Sequence, residues 1–457
     1  MFDHAAGDKT AVFETMPVER ALGVMALPTI MSQVVSILYN LADTWFIGRT
    51  NNPYMIGASS LVLILFLTLV ALANLFGAGG GSLMARQMGK GDLESARKTA
   101  SYSIAMSAIV ALAFSLLCLA LMDPLLLTLG ASENTLEFAR QYMLFAVILG
   151  GVPTVLSCAM PMILRNTGYA KEAGIGVALG GIVNIVLDPL FMFCLLPDGY
   201  QVLGAGIATM LSNVISLAYF VFVFWRVRDT TVLELPRRLE HLDAQSRASI
   251  YSVGVPAALV LLLFNSLGVV LNRLAVSYGD VTLAAVGIVM KLERMPQNIG
   301  VGICLGMVPL VAYNFARGNL GRMDGFFKSA RLALLVVGLT STAAYFLFAE
   351  PIVGLFIRDA ETVRLGTAFL KARSLSLPFM LIGFEIVHYM QAVGQGRYSL
   401  ILTVLRHLVL SIPIMVGMNA LFGLDGLIWS QTVADVVNAA LAVTIYLKVR
   451  SSMGTSA

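Results

Sequence analysis

Lys90-Gly91-Asp92-Leu93 and Arg317-Gly318-Asn319-Leu320 are two copies of one pattern, each following a long apolar run. They have company. Pro28 is matched by Pro256, Asp123-Pro124 by Glu350-Pro351, and Arg165-Asn166-Thr167-Gly168 by Gln391-Ala392-Val393-Gly394. The matches fall in order, at an offset of about 225–228 residues. The 457-residue chain therefore reads as two related halves.

Composition says what the halves are made of. Hydrophobic residues form 58% of the chain and charged residues 12%, about half the usual charged share. Mean hydropathy is +0.84. A water-soluble core cannot hide that much apolar surface, so the chain reads as a polytopic membrane protein. Disordered, nucleic-acid-binding and disulfide-stapled secreted classes are excluded, and a net charge of +4 says little about partners. Cys118, Cys158, Cys194 and Cys304 all lie in apolar stretches and read as packing residues. No Asn-x-Ser/Thr acceptor occurs, which fits a bacterial inner membrane. The stretch 1–20 carries acids and has no cleavable signal pattern.

A bilayer-crossing helix needs about 20 mostly apolar residues. Twelve stretches qualify. The first half gives about Ala21–Gly48, Tyr54–Gly77, Thr99–Met122, Gln141–Leu164, Ala173–Leu196 and Gly199–Trp225. The second gives about Ala248–Asn272, Val281–Ala312, Leu332–Ala349, Ser374–Val393, Tyr398–Phe422 and Gly426–Leu447. Placing both termini in the cytoplasm puts 20 Lys and Arg residues on that side and 7 on the other, with Lys291, Arg294 and Arg406 inside spans. The positive-inside rule selects this orientation. The expected organisation is a cytoplasmic N-terminus (1–20), an N-lobe (21–225), a cytoplasmic linker (226–247), a C-lobe (248–447) and a cytoplasmic C-terminus (448–457). Six spans per half is an even number, so the halves share orientation, are related by an axis along the membrane normal and enclose a central cleft.

Three stretches carry a resemblance: Tyr39-Asn40-Leu41-Ala42-Asp43-Thr44-Trp45-Phe46-Ile47-Gly48, the turn Leu164-Arg165-Asn166-Thr167-Gly168, and Asn184-Ile185-Val186-Leu187-Asp188-Pro189. With Pro28 and the duplicated six-span plan, the whole chain resembles the multidrug and toxic compound extrusion (MATE) transporters. The lack of terminal extensions looks bacterial. An acid pair in the N-terminal half is more similar to the DinF-like and MepA-like branches than to the NorM-like one. The resemblance implies an all-α fold of two six-helix bundles. It also implies export of cationic lipophilic compounds by antiport with protons or sodium, with Asp43 matching a coupling residue. The expected partners are cationic amphipathic drugs and the lipid bilayer, with no nucleic acid. The chain is expected to act as a monomer, with no cofactor beyond the coupling ion, H+ or Na+.

The residues themselves leave several readings open. A charged side chain at bilayer depth costs roughly 2.5–3.5 kcal/mol on insertion scales. Eight stand out: Asp43, Asp188, Lys291, Glu293, Arg294, Glu385, Arg406 and Asp435. They must pair or face a wet cavity, and their formal sum of −2 favours cations. Asp43 either carries a proton or ion on a helix that Pro28 allows to bend, or ends that helix at the interface. Asn184 and Asp188 share one helix face. Asp188 can hold a proton, and with Asp43 nearby the two would titrate together. Alternatively Asp43, Asn184, Asp188 and Thr209 offer oxygen ligands to sodium, a hard cation. A helix–helix clasp is the structural reading of Asn184 and Asp188. Glu293 either pairs with its neighbours Lys291 and Arg294 or meets cationic drugs in the cleft. Glu385 and Tyr389 are further cleft candidates, as are Tyr39 and Asn40. His388 can relay protons or simply pack. Arg406, His407 and Asp435 read as a structural clasp.

No metalloprotease, nucleophile-elbow or nucleotide-loop pattern is present, so an enzyme is not expected. The competing function is a lipid-linked oligosaccharide flippase, whose pyrophosphate would need strong cationic clamps. Acids outnumbering bases in the cleft argue against it.

Overall fold

The computed structural model describes residues 10–50, 52–236 and 240–454. Parts of the expected termini and linker, residues 1–9, 237–239 and 455–457, lie outside the described residues. Six helices build the first half: α1 (Val18–Gly48), α2 (Pro53–Gly89), α3 (Leu93–Ala120), α4 (Glu133–Leu149 with Gly151–Asn166), α5 (Ala170–Leu195) and α6 (Gln201–Val227). The second half contains α7 (Ala244–Val276), α8 (Asp280–Ala316) and α9 (Leu320–Leu347). Next comes α10, made of Ala360–Ser374 and Leu377–Ala392. The run Gly396–Ser452 is folded back at Gly423, whose φ of 59° no helix tolerates, giving α11 and α12. The architecture is all-α, with twelve spans as two six-helix lobes.

The duplicated tetrapeptides turn out to be helix punctuation. Gly91 and Gly318 adopt φ of 81° and 79°, the left-handed conformation that ends α2 and α8. At each, the following residue's N–H reaches back five positions, Asp92 to the Gln87 carbonyl and Asn319 to the Asn314 carbonyl. Asp92 and Asn319 then cap the next helix, accepting from the N–H of Ser95 and Arg322 at 3.0 and 3.1 Å. Gly168 and Gly394 repeat the same geometry after α4 and α10, at φ of 87° and 78°. One residue pattern thus ends a helix, turns the chain and starts the next helix, in both halves.

Helices run past the apolar stretches at the end that carries the termini. α3 starts at Leu93 and α9 at Leu320, both well before the apolar run, because the caps sit there and polar first turns are tolerated in water. Three spans are irregular. Wider π turns occupy Leu144–Leu149, Leu190–Leu195 and Leu405–Ser411, and α4 bends by 49° at its break. All four cysteines are free thiols.

The lobes meet through repeat-related helices: α1 packs on α8, and α7 on α2. Each crossing depends on a missing side chain. A Cβ on Gly254 would lie 1.9 Å from the Leu75 carbonyl oxygen, and one on Gly306 would lie 2.7 Å from the Ala26 Cα. Both crossings lie toward the end bearing the termini. The same end is tied by Arg86 of α2, whose guanidinium bonds the Ala392 carbonyl at the end of α10 (3.1 Å) and Ser249 of α7 (2.8 Å). The segment leading into α1 docks on the opposite lobe. Arg322 holds the Phe13 and Met16 carbonyls at 2.8 and 2.6 Å, Asn314 also holds Phe13, and Glu14 pairs with Arg317. Val12 and Phe13 are buried in the C-lobe core. At the far end the lobes part around a cavity of about 870 Å³, lined by Leu41, Ala42, Trp45, Arg49, Lys291 and Phe356 among others.

Candidate functional site

Inside the N-lobe, α1, α4, α5 and α6 bring polar groups together. Asp188 is fully buried one residue before Pro189, at the start of the α5 π turn. Such a turn shifts side chains out of helical register and is frequent at functional sites. Asn184, one turn earlier, points its amide nitrogen at Asp188 Oδ1 across 3.4 Å. Asp43 of α1 lies within electrostatic reach of Asp188. The phenols of Tyr39 and Tyr142 lie within reach of both carboxylates, and Tyr142 stands beside Thr209. Behind them, Asn213 of α6 donates to Thr154 (3.1 Å) and accepts from Ser157 (3.0 Å), fixing α6 to α4.

The decisive feature is what these acids lack. Asp43 Oδ1, Asn184 Oδ1 and Asp188 Oδ2 are buried and have no hydrogen-bond partner among the described residues. No basic side chain pairs with either carboxylate there. Buried oxygen acceptors without a donor suit a proton or a hard monovalent cation, and leave two carboxylates costly when empty. Of the four residues expected to bind the ion, Asn184 and Asp188 touch, Asp43 lies within electrostatic reach of Asp188, and Thr209 stands beside Tyr142. Tyr39 joins them, whereas Asn40 is exposed and donates to the Ser36 carbonyl. Pro28 lies in an unbroken α1, its carbonyl pressed close to Gly174 of α5.

The C-lobe acids are built differently. Glu293 does not pair with Lys291 or Arg294, which are exposed. Arg373 of α10 grips both its oxygens. On a helix, residues one and two positions away point elsewhere, so the sequence neighbours were the wrong partners. Glu385, fully buried, takes Arg331 of α9 at 3.0 Å. Asp435 takes Arg406 at 3.1 Å. His407 instead contacts the Thr403 carbonyl and His388 the Phe384 carbonyl. Tyr389 is buried against Phe327 and Tyr446. In this conformation Glu385 and Tyr389 lie inside the C-lobe and not on an open cleft.

The MatE family model matches residues 28–190 and again 256–416, beginning at the two repeat-related prolines. The chain belongs to the MATE family. This MATE protein is 33% identical over 443 residues to "Multidrug export protein MepA" of Staphylococcus aureus (strain MRSA252), covering 96% of each chain. It is 31% identical over 443 residues to the MepA of Staphylococcus saprophyticus, again with 96% coverage of both. Its fold matches a solved structure described as the outward-facing conformation of a multidrug resistance MATE family transporter. The TM-score is 0.91, identity is 24%, and 98% of each chain is covered.

Reading the MATE protein's sequence missed Arg331, Arg373 and Tyr142. The two arginines stand one residue before the stretches Leu332–Ala349 and Ser374–Val393, so a hydropathy boundary assigned them to loops. Adding them gives Glu385 and Glu293 the basic partners that hydropathy alone did not show. A search for bases within one turn of an apolar boundary would have found both.

Proposed function

We propose that this protein is a secondary active multidrug exporter that couples efflux of cationic lipophilic compounds to entry of H+ or Na+ through Asp43 and Asp188. The observation that carries the reading is the contrast in pairing. Among the described residues the N-lobe acids have no basic partner, while each C-lobe acid has an arginine. Two carboxylates at bilayer depth need a positive partner or a proton. A coupling ion and a cationic drug both meet that need, so they compete, and competition at one site is what antiport requires. Each must also favour a different lobe arrangement, because a ligand bound equally to both states shifts neither. The membrane potential supplies about 2.3 kcal/mol per charge per 100 mV.

We place both termini in the cytoplasm of a bacterial inner membrane, on the basic-residue count. The crossings at Ala26–Gly306 and Gly79–Gly254, the Arg86 tie and the docked residues 12–16 then close the cytoplasmic side. The large cavity opens outward. Return to an inward-open state needs all of these contacts to separate. The protein works as a monomer in this account, since one chain holds both lobes.

The test uses inverted vesicles given a proton gradient, a sodium gradient or neither. Uptake of a fluorescent lipophilic cation is followed for wild type and Asp43→Asn. Gradient-driven uptake lost in the variant supports antiport, and the effective gradient names the ion. No uptake under either gradient, with folded protein in the membrane, overturns the reading in favour of a lipid flippase.

A further inference from the structure

At the end of the molecule away from the termini, two bases stand without an acid. Arg49 is the C-cap of α1 in the N-lobe, and Lys291 belongs to α8 in the C-lobe. Both are exposed, and both line the cavity of about 870 Å³ between the lobes. Neither makes an ion pair or a side-chain hydrogen bond among the described residues. The cavity lining holds these two bases and no acid among the described residues. Its local charge therefore attracts an anion and repels a cation.

Depth and shape say which anion. Arg20 and Arg49 stand 29 residues apart along α1, a rise of about 44 Å at 1.5 Å per residue. A bilayer with both headgroup layers is about 40–45 Å thick. Arg49 therefore sits at headgroup depth, in the leaflet opposite the termini. One turn deeper, the Trp45 ring lies 5.1 Å from the Arg49 guanidinium carbon, where membrane proteins carry their aromatic belts. Stacking orients the guanidinium and uses none of its five N–H donors. Deeper still, Leu27, Met31, Leu38 and Leu41 are exposed on α1. Their spacings of four, seven and three residues put them on one face with Trp45. A positive mouth above an apolar track is the complement of an anionic amphiphile, and the cavity lies within the roughly 300–1,000 Å³ of small-ligand sites.

We infer that this mouth is a lipid site: an anionic glycerophospholipid enters between α1 and α8, its phosphate is held by Arg49 and Lys291, and its chains lie along α1. One base comes from each lobe, so the headgroup bridges the lobes where they part. The lipid is a resident of the mouth and not cargo, so the site stands or falls apart from the export reading.

The experiment reads lipid contact at Trp45 by fluorescence quenching. The chain has three tryptophans, Trp45, Trp225 and Trp429, so Trp225→Phe with Trp429→Phe leaves Trp45 as the reporter. The full-length protein is reconstituted in phosphatidylcholine, and chain-brominated phosphatidylglycerol or chain-brominated phosphatidylcholine is titrated in. Quenching should favour the phosphatidylglycerol by at least about 5-fold, the equivalent of one charge at about 1 kcal/mol. The ratio should fall in Arg49→Gln and in Lys291→Gln, and reach one when both are combined. The control keeps only Trp429, which is exposed and has no base within four residues in the sequence, and should show no preference. A ratio within one preparation does not depend on how much of the variant folds. Equal quenching by the two lipids at Trp45, a preference that survives in the double variant, or the same preference at Trp429 overturns the inference.

Discussion

Two lobes of one repeat, built on the same helices and the same turns, treat their buried acids in opposite ways. In the N-lobe, Asp43 lies within electrostatic reach of Asp188, Asn184 contacts Asp188, and neither acid has a base among the described residues. In the C-lobe, Glu293, Glu385 and Asp435 each hold an arginine. Duplication preserved the scaffold, including four helix-ending glycines and the paired lobe crossings. It did not preserve the charge. A paired acid is part of the structure, because removing its partner leaves a bare charge in a poor solvent. An unpaired acid is available, because its charge is neutralised by something that comes and goes. The difference predicts that the C-lobe acids act mainly on stability and the N-lobe acids mainly on transport.

The largest expected effect breaks a C-lobe pair. Arg373→Ala should destabilise the protein by about 3–5 kcal/mol, the cost of a buried carboxylate stripped of its partner. Arg373→Gln with Glu293→Gln should recover most of that, read as thermal unfolding in detergent. Equal loss in single and double variants would mean that the pair matters only as packing. Asp188→Asn is the opposite case. It should leave the unfolding temperature at or above that of wild type while gradient-driven uptake disappears. A sharp fall in stability would show that Asp188 is a structural clasp after all.

The crossings offer a smaller effect shared by both lobes. Gly254→Val forces a side chain into the Leu75 carbonyl and should weaken the closed end by about 1–3 kcal/mol. That shifts the state ratio by roughly 5–150-fold. A cysteine placed at Ser82, which is 1% exposed at that seam, should become reactive to a membrane-impermeant thiol reagent. Unchanged reactivity would show that the seam tolerates the extra bulk.

The smallest effect lies outside the membrane. Arg140 binds both oxygens of Asp123 at 2.7 Å, yet both side chains are well exposed. The guanidinium holds the Asp123 carboxyl below its usual range. A depressed folded value means stability present above the ordinary carboxylate pKa of about 3.8 and lost as pH falls through the folded value. Exposed pairs of this kind contribute little. Arg140→Gln should be nearly silent at neutral pH, and its difference from wild type should vanish in acid.

The sequence made the scaffold legible because its signals are local and repeated. Apolar runs mark spans, and Gly91, Gly318 and their flanking residues mark ends. Asn184 and Asp188 were legible as a pair because four residues make one helical turn. The arginine partners were not. Arg331 and Arg373 stand at span boundaries, where hydropathy stops reading, and their acids lie 54 and 80 residues away. Tyr142 was missed for a related reason. A phenol in an apolar span looks like filler until the fold brings the carboxylates of α1 and α5 within its reach. The docking of residues 12–16 on the other lobe was also invisible, since nothing local in Phe13 or Glu14 points to Arg322 or Arg317.

The central claim is that the coupling ion and the drug share the N-lobe carboxylates. It is tested most directly by the linkage between them. Affinity of purified protein for one lipophilic cation would be measured as pH and sodium are varied, in wild type, Asp43→Asn and the Glu293→Gln/Arg373→Gln double variant. Binding linkage is reciprocal, so an ion displaced by the drug must in turn weaken it. The account predicts that wild type and the double variant lose affinity as the coupling ion rises, and that Asp43→Asn shows no such slope. A slope kept in Asp43→Asn and lost in the double variant would contradict it, and would move the coupling site to the C-lobe.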